Sequence, residues 1–151
     1  MPLIALNKKA YHDYEVLETY EAGLVLTGPE VKAIKLGQVN LTSGYVTIDK
    51  NEEVWLNNIY VSPYPPAALA QRDYNPKRSR KLLLKKSEIS RLVGKTQIKG
   101  YTFIPLKIYT KNSLIKIEVG LARGKKKWDK KEEIKKREIE KNIREAMKSR
   151  I

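Results

Sequence analysis

The chain has 151 residues, with 31 Lys or Arg against 17 Asp or Glu, a formal net charge of +14 and a pI near 9.8. It holds no cysteine, which excludes disulfides, thiolate zinc sites and a cysteine nucleophile together and suits a reducing, cytoplasmic setting. So basic a chain fits a polyanionic partner better than a small neutral substrate, and no apolar run approaches the ~20 residues that span a bilayer.

Met1-Pro2-Leu3-Ile4-Ala5-Leu6 is too short for a signal-peptide core and has no basic leader. Strand signals dominate the body that follows. Tyr14 to Tyr20 and Gly23 to Gly28 read as two strands joined at Glu21-Ala22-Gly23 by a bulge or tight turn. A short helix comes next, with Gly28 as its N-cap, Pro29 at the first position and Gly37 as its stop. Gly44 to Asp49 and Glu53 to Val61 form a hairpin around Asp49-Lys50-Asn51-Glu52. Four prolines between Pro63 and Pro76 leave a long loop reaching Arg78. Ser87 to Val93 reads as a second helix, capped by Ser87 and stopped by Gly94.

The last hairpin pairs Phe103 to Tyr109 with Ile115 to Leu121. Its period of two gives one buried and one wet face, with Ile104, Leu106 and Ile108 on the buried side. Pro105 has no N–H to give a ladder, so an edge or a bulge is expected there. About six strands with two or three short helices in residues 1–122 predict a mainly β fold. The expected form is a small antiparallel barrel of the oligonucleotide-binding (OB) type, whose closure removes exposed edges.

Residues 123–151 differ in kind. They carry thirteen Lys/Arg against six Asp/Glu, a net +7, while the first 122 residues carry eighteen against eleven, also +7. Asp129 with Glu132 resembles a capping box, and Glu132–Lys136, Glu133–Arg137 and Glu140–Arg144 are favourable helical pairs. Ile134, Ile139, Ile143 and Met147 make only a thin apolar stripe, so the expectation is a basic tail disordered when free and helical when bound. Trp128 amid lysines has no core of its own to enter, and an exposed Trp suits stacking on a nucleobase; folding back onto the barrel is the alternative.

His12 is the only histidine, which leaves metal sites and Ser–His chemistry unsupported. Both a half-buried histidine with one hydrogen bond and an RNA contact fit it. Carboxylates are scattered, and Glu52-Glu53 point to opposite faces of a strand, so they do not form a catalytic pair. Arg78 and Arg80, in the basic run Pro76 to Lys86, are either phosphate ligands or merely solvated.

Taken in order and spacing, one set of motifs resembles the SsrA-binding protein (small protein B) family, the bacterial partner of transfer-messenger RNA. The set begins with Asn7-Lys8-Lys9-Ala10, Tyr20-Glu21-Ala22-Gly23, Gly28-Pro29-Glu30-Val31-Lys32, Gly37, Asn40-Leu41 and Tyr45. It continues with Arg80-Lys81-Leu82-Leu83-Leu84, Gly100-Tyr101-Thr102, Pro105-Leu106 and Ala122-Arg123-Gly124-Lys125-Lys126. The resemblance covers nearly the whole chain. It implies an OB-type barrel that binds the tRNA-like domain of transfer-messenger RNA and stands where the codon–anticodon half of a tRNA normally sits. It also implies a tail that turns helical in the empty messenger channel of a stalled ribosome.

The RNA contacts so implied are Asn7, His12 and Glu21, and the expected RNA-binding set adds Lys8, Lys9, Arg78 and Arg80. In the tail, Gly124, Lys125, Lys126, Trp128, Asp129, Lys130 and Lys131 are expected to meet small-subunit RNA at the decoding centre and in the channel. No enzyme activity, cofactor, metal, membrane or small-molecule substrate is expected. The competing reading is a general single-stranded nucleic-acid binder on the same barrel. Three positions depart from the family pattern: Lys131 stands for the usual Arg, Trp128 for a His or Tyr, and Gly44 for an acidic residue or Ser.

Overall fold

The computed structural model describes residues 2–66 and 73–125. Along them run β1 (Leu3–Leu6), α1 (Lys8–Asp13), β2 (Tyr14–Leu24), α2 (Gly28–Lys35), β3 (Val39–Asn40) and β4 (Tyr45–Ile48). There follow β5 (Val54–Asn57), β6 (Tyr60–Val61), β7 (Arg80–Leu83), α3 (Lys86–Thr96), β8 (Tyr101–Lys111) and β9 (Leu114–Gly124). Seven strands make one antiparallel sheet in the order β1-β8-β9-β2-β7-β5-β4, and β3 pairs with β6 apart from it. The sheet curls until β4 packs against β8, without a hydrogen-bonded closure between its two end strands. The architecture is mainly β and antiparallel with three helices among the described residues, in line with the strand signals.

The inner face of the curl holds the main core. Tyr20 and Ala22 of β2, Leu56 of β5, Phe103 and Ile108 of β8, and Ile117 and Val119 of β9 meet Ala33 and Ile34 of α2 and Leu92 of α3 there. Tyr20 and Phe103 pack edge to face, ring centres 6.2 Å apart. Each buried Leu, Ile, Val or Phe among them contributes about 1.5–3 kcal/mol. A smaller cluster lies on the outer face, where Ala10 of α1 covers Ile104, Leu106 and Ala122, flanked by Tyr14 and Val16.

Two bulges divide these cores. The β8–β9 register shifts between Pro105 and Lys107, which answers the missing N–H of Pro105 and puts Leu106 out of step. The expectation that Ile104, Leu106 and Ile108 share one buried face is thereby corrected. Ile104 and Leu106 pack under α1, Ile108 enters the main core, and the upper half of the hairpin is buried on both faces. A matching shift between Val16 and Glu18 lies on the other side of β9.

Four other boundaries differ from the sequence reading. Glu21-Ala22-Gly23 does not divide two strands, since β2 runs unbroken through it, paired to Glu118, Ile117 and Lys116 of β9. The cap of α2 is Thr27, whose hydroxyl accepts from the Glu30 N–H while Glu30 accepts from the Thr27 N–H at 3.0 Å. Helix α3 starts before Ser87 and runs through Gly94, because the glycines in the left-handed region are Gly37 and Gly100. The strand expected up to Val61 breaks at Asn58, whose φ of 59° turns β6 away to pair with β3.

Asn112 and Ser113 turn the last hairpin with φ of 52° and 66°, the two-residue geometry that matches strand twist. Gly44 has a packing cause. A Cβ there would lie 2.6 Å from Ile59 Cγ2 and 2.7 Å from Pro105 Cγ, so a side chain cannot enter without moving the core.

Candidate nucleic-acid interface

Pairing across β1, β8, β9 and β2 lines up an outer face one row at a time. Leu6 opposes Lys107, Lys107 opposes Glu118, and Glu118 opposes Glu21. The next row is Leu3, Tyr109, Lys116 and Gly23. Directly opposed residues share a face, so these side chains form one surface. At its other end α1 lies over Ala122 and Ile104, and Tyr11 reaches back towards Lys107 and Glu118. Helix α1 and Glu21 therefore belong to the same face of the sheet.

Asn7 makes that placement. Its side-chain oxygen accepts from the Ala10 N–H at 3.1 Å and so caps α1. Its amide donates to the carbonyls of Pro105 at 3.0 Å and Leu41 at 3.2 Å, and its own N–H donates to Leu106 O at 2.8 Å. It is 2% exposed, so this side chain is spent on tying α1 to β8 and to the turn before β4. Lys8 and Lys9 open the helix and are exposed. His12, 46% exposed, pairs Nδ1 with Asp13 Oδ1 at 2.9 Å.

Glu21 stands in the open half of the face. Its Oε2 accepts from the Tyr109 hydroxyl at 2.5 Å and its Oε1 from Lys111 Nζ at 3.3 Å. The Tyr109 bond holds the Glu21 carboxyl below its usual range, with partial burial opposing it and Lys111 adding to it. Burial first, and then the bond to Glu21, push the Tyr109 phenol well above the ordinary tyrosine range. The neighbouring Lys107 and Glu118 are paired at 3.1 Å.

The two arginines of the basic run belong elsewhere, and the phosphate role expected of Arg80 is corrected. Arg80 is fully buried. Its Nε donates to Glu30 at 2.7 Å, NH1 to the Ile59 and Arg78 carbonyls, and NH2 to Tyr74 and the Pro76 carbonyl. Arg78 donates to both oxygens of the same carboxylate, leaving its guanidinium one-third exposed but engaged. Burial works against ionising Glu30, yet Arg78, the Thr27 N–H and Arg80 outweigh it and hold the carboxyl down to about 2. A fully paired buried carboxylate of this kind pins the proline-rich segment to α2.

The chain leaves the sheet beside α1. Gly124 pairs with Tyr14, the Lys125 N–H donates to Asp13 O at 2.9 Å, and Lys125 Nζ donates to Tyr11 O at 3.0 Å. Lys8, Lys9, His12, Gly124 and Lys125 thus cluster at one end of the outer face, with Glu21 at the other. Lys126, Trp128, Asp129, Lys130 and Lys131 lie outside the described residues. The sequence reading missed Tyr109 and Lys111 as partners of Glu21. Period-two placement of Tyr109 opposite Lys116 was the available signal, but the two partners stand 88 positions apart.

A family model described as SmpB protein matches residues 4–149. The SsrA-binding protein of Carboxydothermus hydrogenoformans is 51% identical over 148 residues, covering 98% of this chain and 97% of its own. The SsrA-binding protein of Persephonella marina is 50% identical over 149 residues, covering 99% and 96%. A solved chain described as tmRNA-SmpB, in a journey to the centre of the bacterial ribosome, superposes with a TM-score of 0.68 at 45% identity, covering 84% of this chain and 87% of that one.

Proposed function

We propose a function from one premise: the chain belongs to the SmpB protein family. It is an RNA-binding adaptor of trans-translation, which binds SsrA, the transfer-messenger RNA, and partners it on stalled ribosomes. The observation that carries this is extent, since the family match runs through the body and the tail together.

The finer reading assigns the curled sheet to the OB type, supported by β4 packing back on β8. The RNA-facing side is the outer face, with Lys8, Lys9 and His12 at the tail exit and Glu21 at the far end. Asn7 positions this face and does not itself reach the RNA. The body of residues 1–122 supplies selectivity, and residues 123–151 supply the ribosome contacts, entering the messenger channel as a helix. Support for the tail lies in its +7 charge, its capping pattern and its helical pairs. The role proposed is that of a non-enzymatic adaptor, exercised in the cytoplasm, where ribosomes work.

The test is competition. The full chain and a truncation ending at Lys127, which keeps β9 whole, are titrated with the tRNA-like domain of transfer-messenger RNA, against random single strands and a generic duplex. Both proteins should prefer the tRNA-like domain, the truncation with reduced salt dependence. Equal affinity for random single strands would favour a general single-strand binder instead.

A further inference from the structure

Glu21 is a carboxylate on a surface assigned to a polyanion, and an acid there must be aimed, because it repels every phosphate near it. Its two oxygens are already tied from one side, by the Tyr109 hydroxyl and the Lys111 ammonium. Tyr109 is only 7% exposed, so its ring is packed, and its hydroxyl is the group that reaches the Glu21 carboxylate. A packed ring has little rotamer freedom, so its hydroxyl is a fixed point and not an adaptable one. An ionised carboxylate offers about four lone-pair sites, and two are used here, leaving others for an incoming donor.

We infer that Tyr109 is a positioning residue for RNA recognition, its hydroxyl holding the Glu21 carboxylate in the one orientation that meets the RNA. This rests on the reading that Glu21 contacts RNA, and it adds the device that makes the contact specific. Pre-orientation removes the entropic cost of fixing a mobile Glu side chain at the moment of binding. The charged groups around the pair act in the same sense: Lys111 of β8 and Lys116 of β9 keep the carboxyl ionised, and Lys107 neutralises Glu118 in the adjacent row.

The experiment is a double-mutant cycle on the full chain, read as affinity for the tRNA-like domain of transfer-messenger RNA. Tyr109→Phe keeps the ring and deletes the hydroxyl. It should weaken binding by about tenfold, the worth of one hydrogen bond to a charged group. In a Glu21→Ala background the same change should cost nothing further, and in the single variant the Glu21 carboxyl should titrate at higher pH by carbon-detected NMR. A structural tyrosine would cost affinity equally in both backgrounds.

Glu21→Asp tests the idea without touching the ring. It keeps the charge but is one methylene too short to hold the same position, and it should bind as weakly as Glu21→Ala. Wild-type affinity for Tyr109→Phe or Glu21→Asp, with Glu21→Ala weakened, overturns the positioning role and leaves the Glu21 contact standing. Wild-type affinity for Glu21→Ala overturns both.

Discussion

Asn7 shows how one side chain can be needed for binding without touching the ligand. Its oxygen caps α1 and its amide holds two buried carbonyls, those of Leu41 and Pro105. Asn7→Ala should destabilise the fold by about 2–4 kcal/mol, from one lost cap and two orphaned acceptors. Asn7→Asp keeps the capping oxygen, cannot donate to either carbonyl and buries a charge, so its loss should be at least as large. Denaturant midpoints for the two variants check the order. Glu30 makes the second prediction. Its folded value of about 2 lies below the ordinary 4.5, so its contribution is complete above pH 4.5 and is lost as pH falls through 2. Wild-type stability should therefore fall over that window. Glu30→Gln should be weaker at neutral pH and flatter between pH 4.5 and 2 in urea unfolding. Arg80→Met, which leaves Glu30 to Arg78 and the Thr27 N–H and orphans the buried carbonyls of Ile59, Arg78 and Pro76, should cost about 3–5 kcal/mol.

At the scale of elements, the sequence told most where local chemistry decides the outcome. The turn at Asp49-Lys50-Asn51-Glu52, the stop at Gly37 and the bulge forced by Pro105 each follow from one residue's backbone preference, and each is present. It told least where a partner far along the chain decides. Glu21-Ala22-Gly23 has the composition of a turn, but β9 supplies a continuous ladder that straightens it. Gly94 has the composition of a stop, but Leu92, buried in the main core, keeps α3 seated around it. The partition of Ile104, Leu106 and Ile108 between two cores depends on the bulge, and a strict period-two reading cannot see it.

Gly120 tests the outer core directly. A Cβ there would lie 2.8 Å from Leu106 Cδ1 and 3.3 Å from Val16 Cγ1, under α1. Gly120→Ala should cost about 1–3 kcal/mol by overpacking, and RNA affinity should drop with it as α1 is lifted from the face. Calorimetry and the RNA titration on the same sample would measure both.

Across the whole molecule, charge is shared evenly, +7 on residues 1–122 and +7 on 123–151, and the two halves should be separable by salt. A protein truncated at Lys127 should bind the tRNA-like domain nearly as tightly as the full chain while failing to support peptide tagging on stalled ribosomes. Trp128→Ala, or charge removal at Lys130 and Lys131, should act in the same direction. Normal tagging by the truncated protein in a reconstituted translation system would remove the tail from the mechanism. The candidate site was legible in the sequence as a set of residue types, and Lys8, Lys9 and His12 do gather beside Gly124 and Lys125. The burial of Arg80 was not legible, because its acid partner stands 50 positions earlier in the chain.

The pairing of β2 with β9 has a consequence for how the protein is made. Glu15 and Arg123 meet across that ladder at 2.7 Å although 108 positions separate them, and the register beside them is just as distant. During synthesis β2 emerges early and must then wait, its edge unpaired, until nearly all of the sheet has been translated. Closing so long a loop is entropically slow, and contacts this remote from one another make for slow-folding β topologies. A nascent chain arrested before Leu114 should therefore be digested readily by protease, whereas one extended until Gly124 is clear of the exit tunnel should resist it.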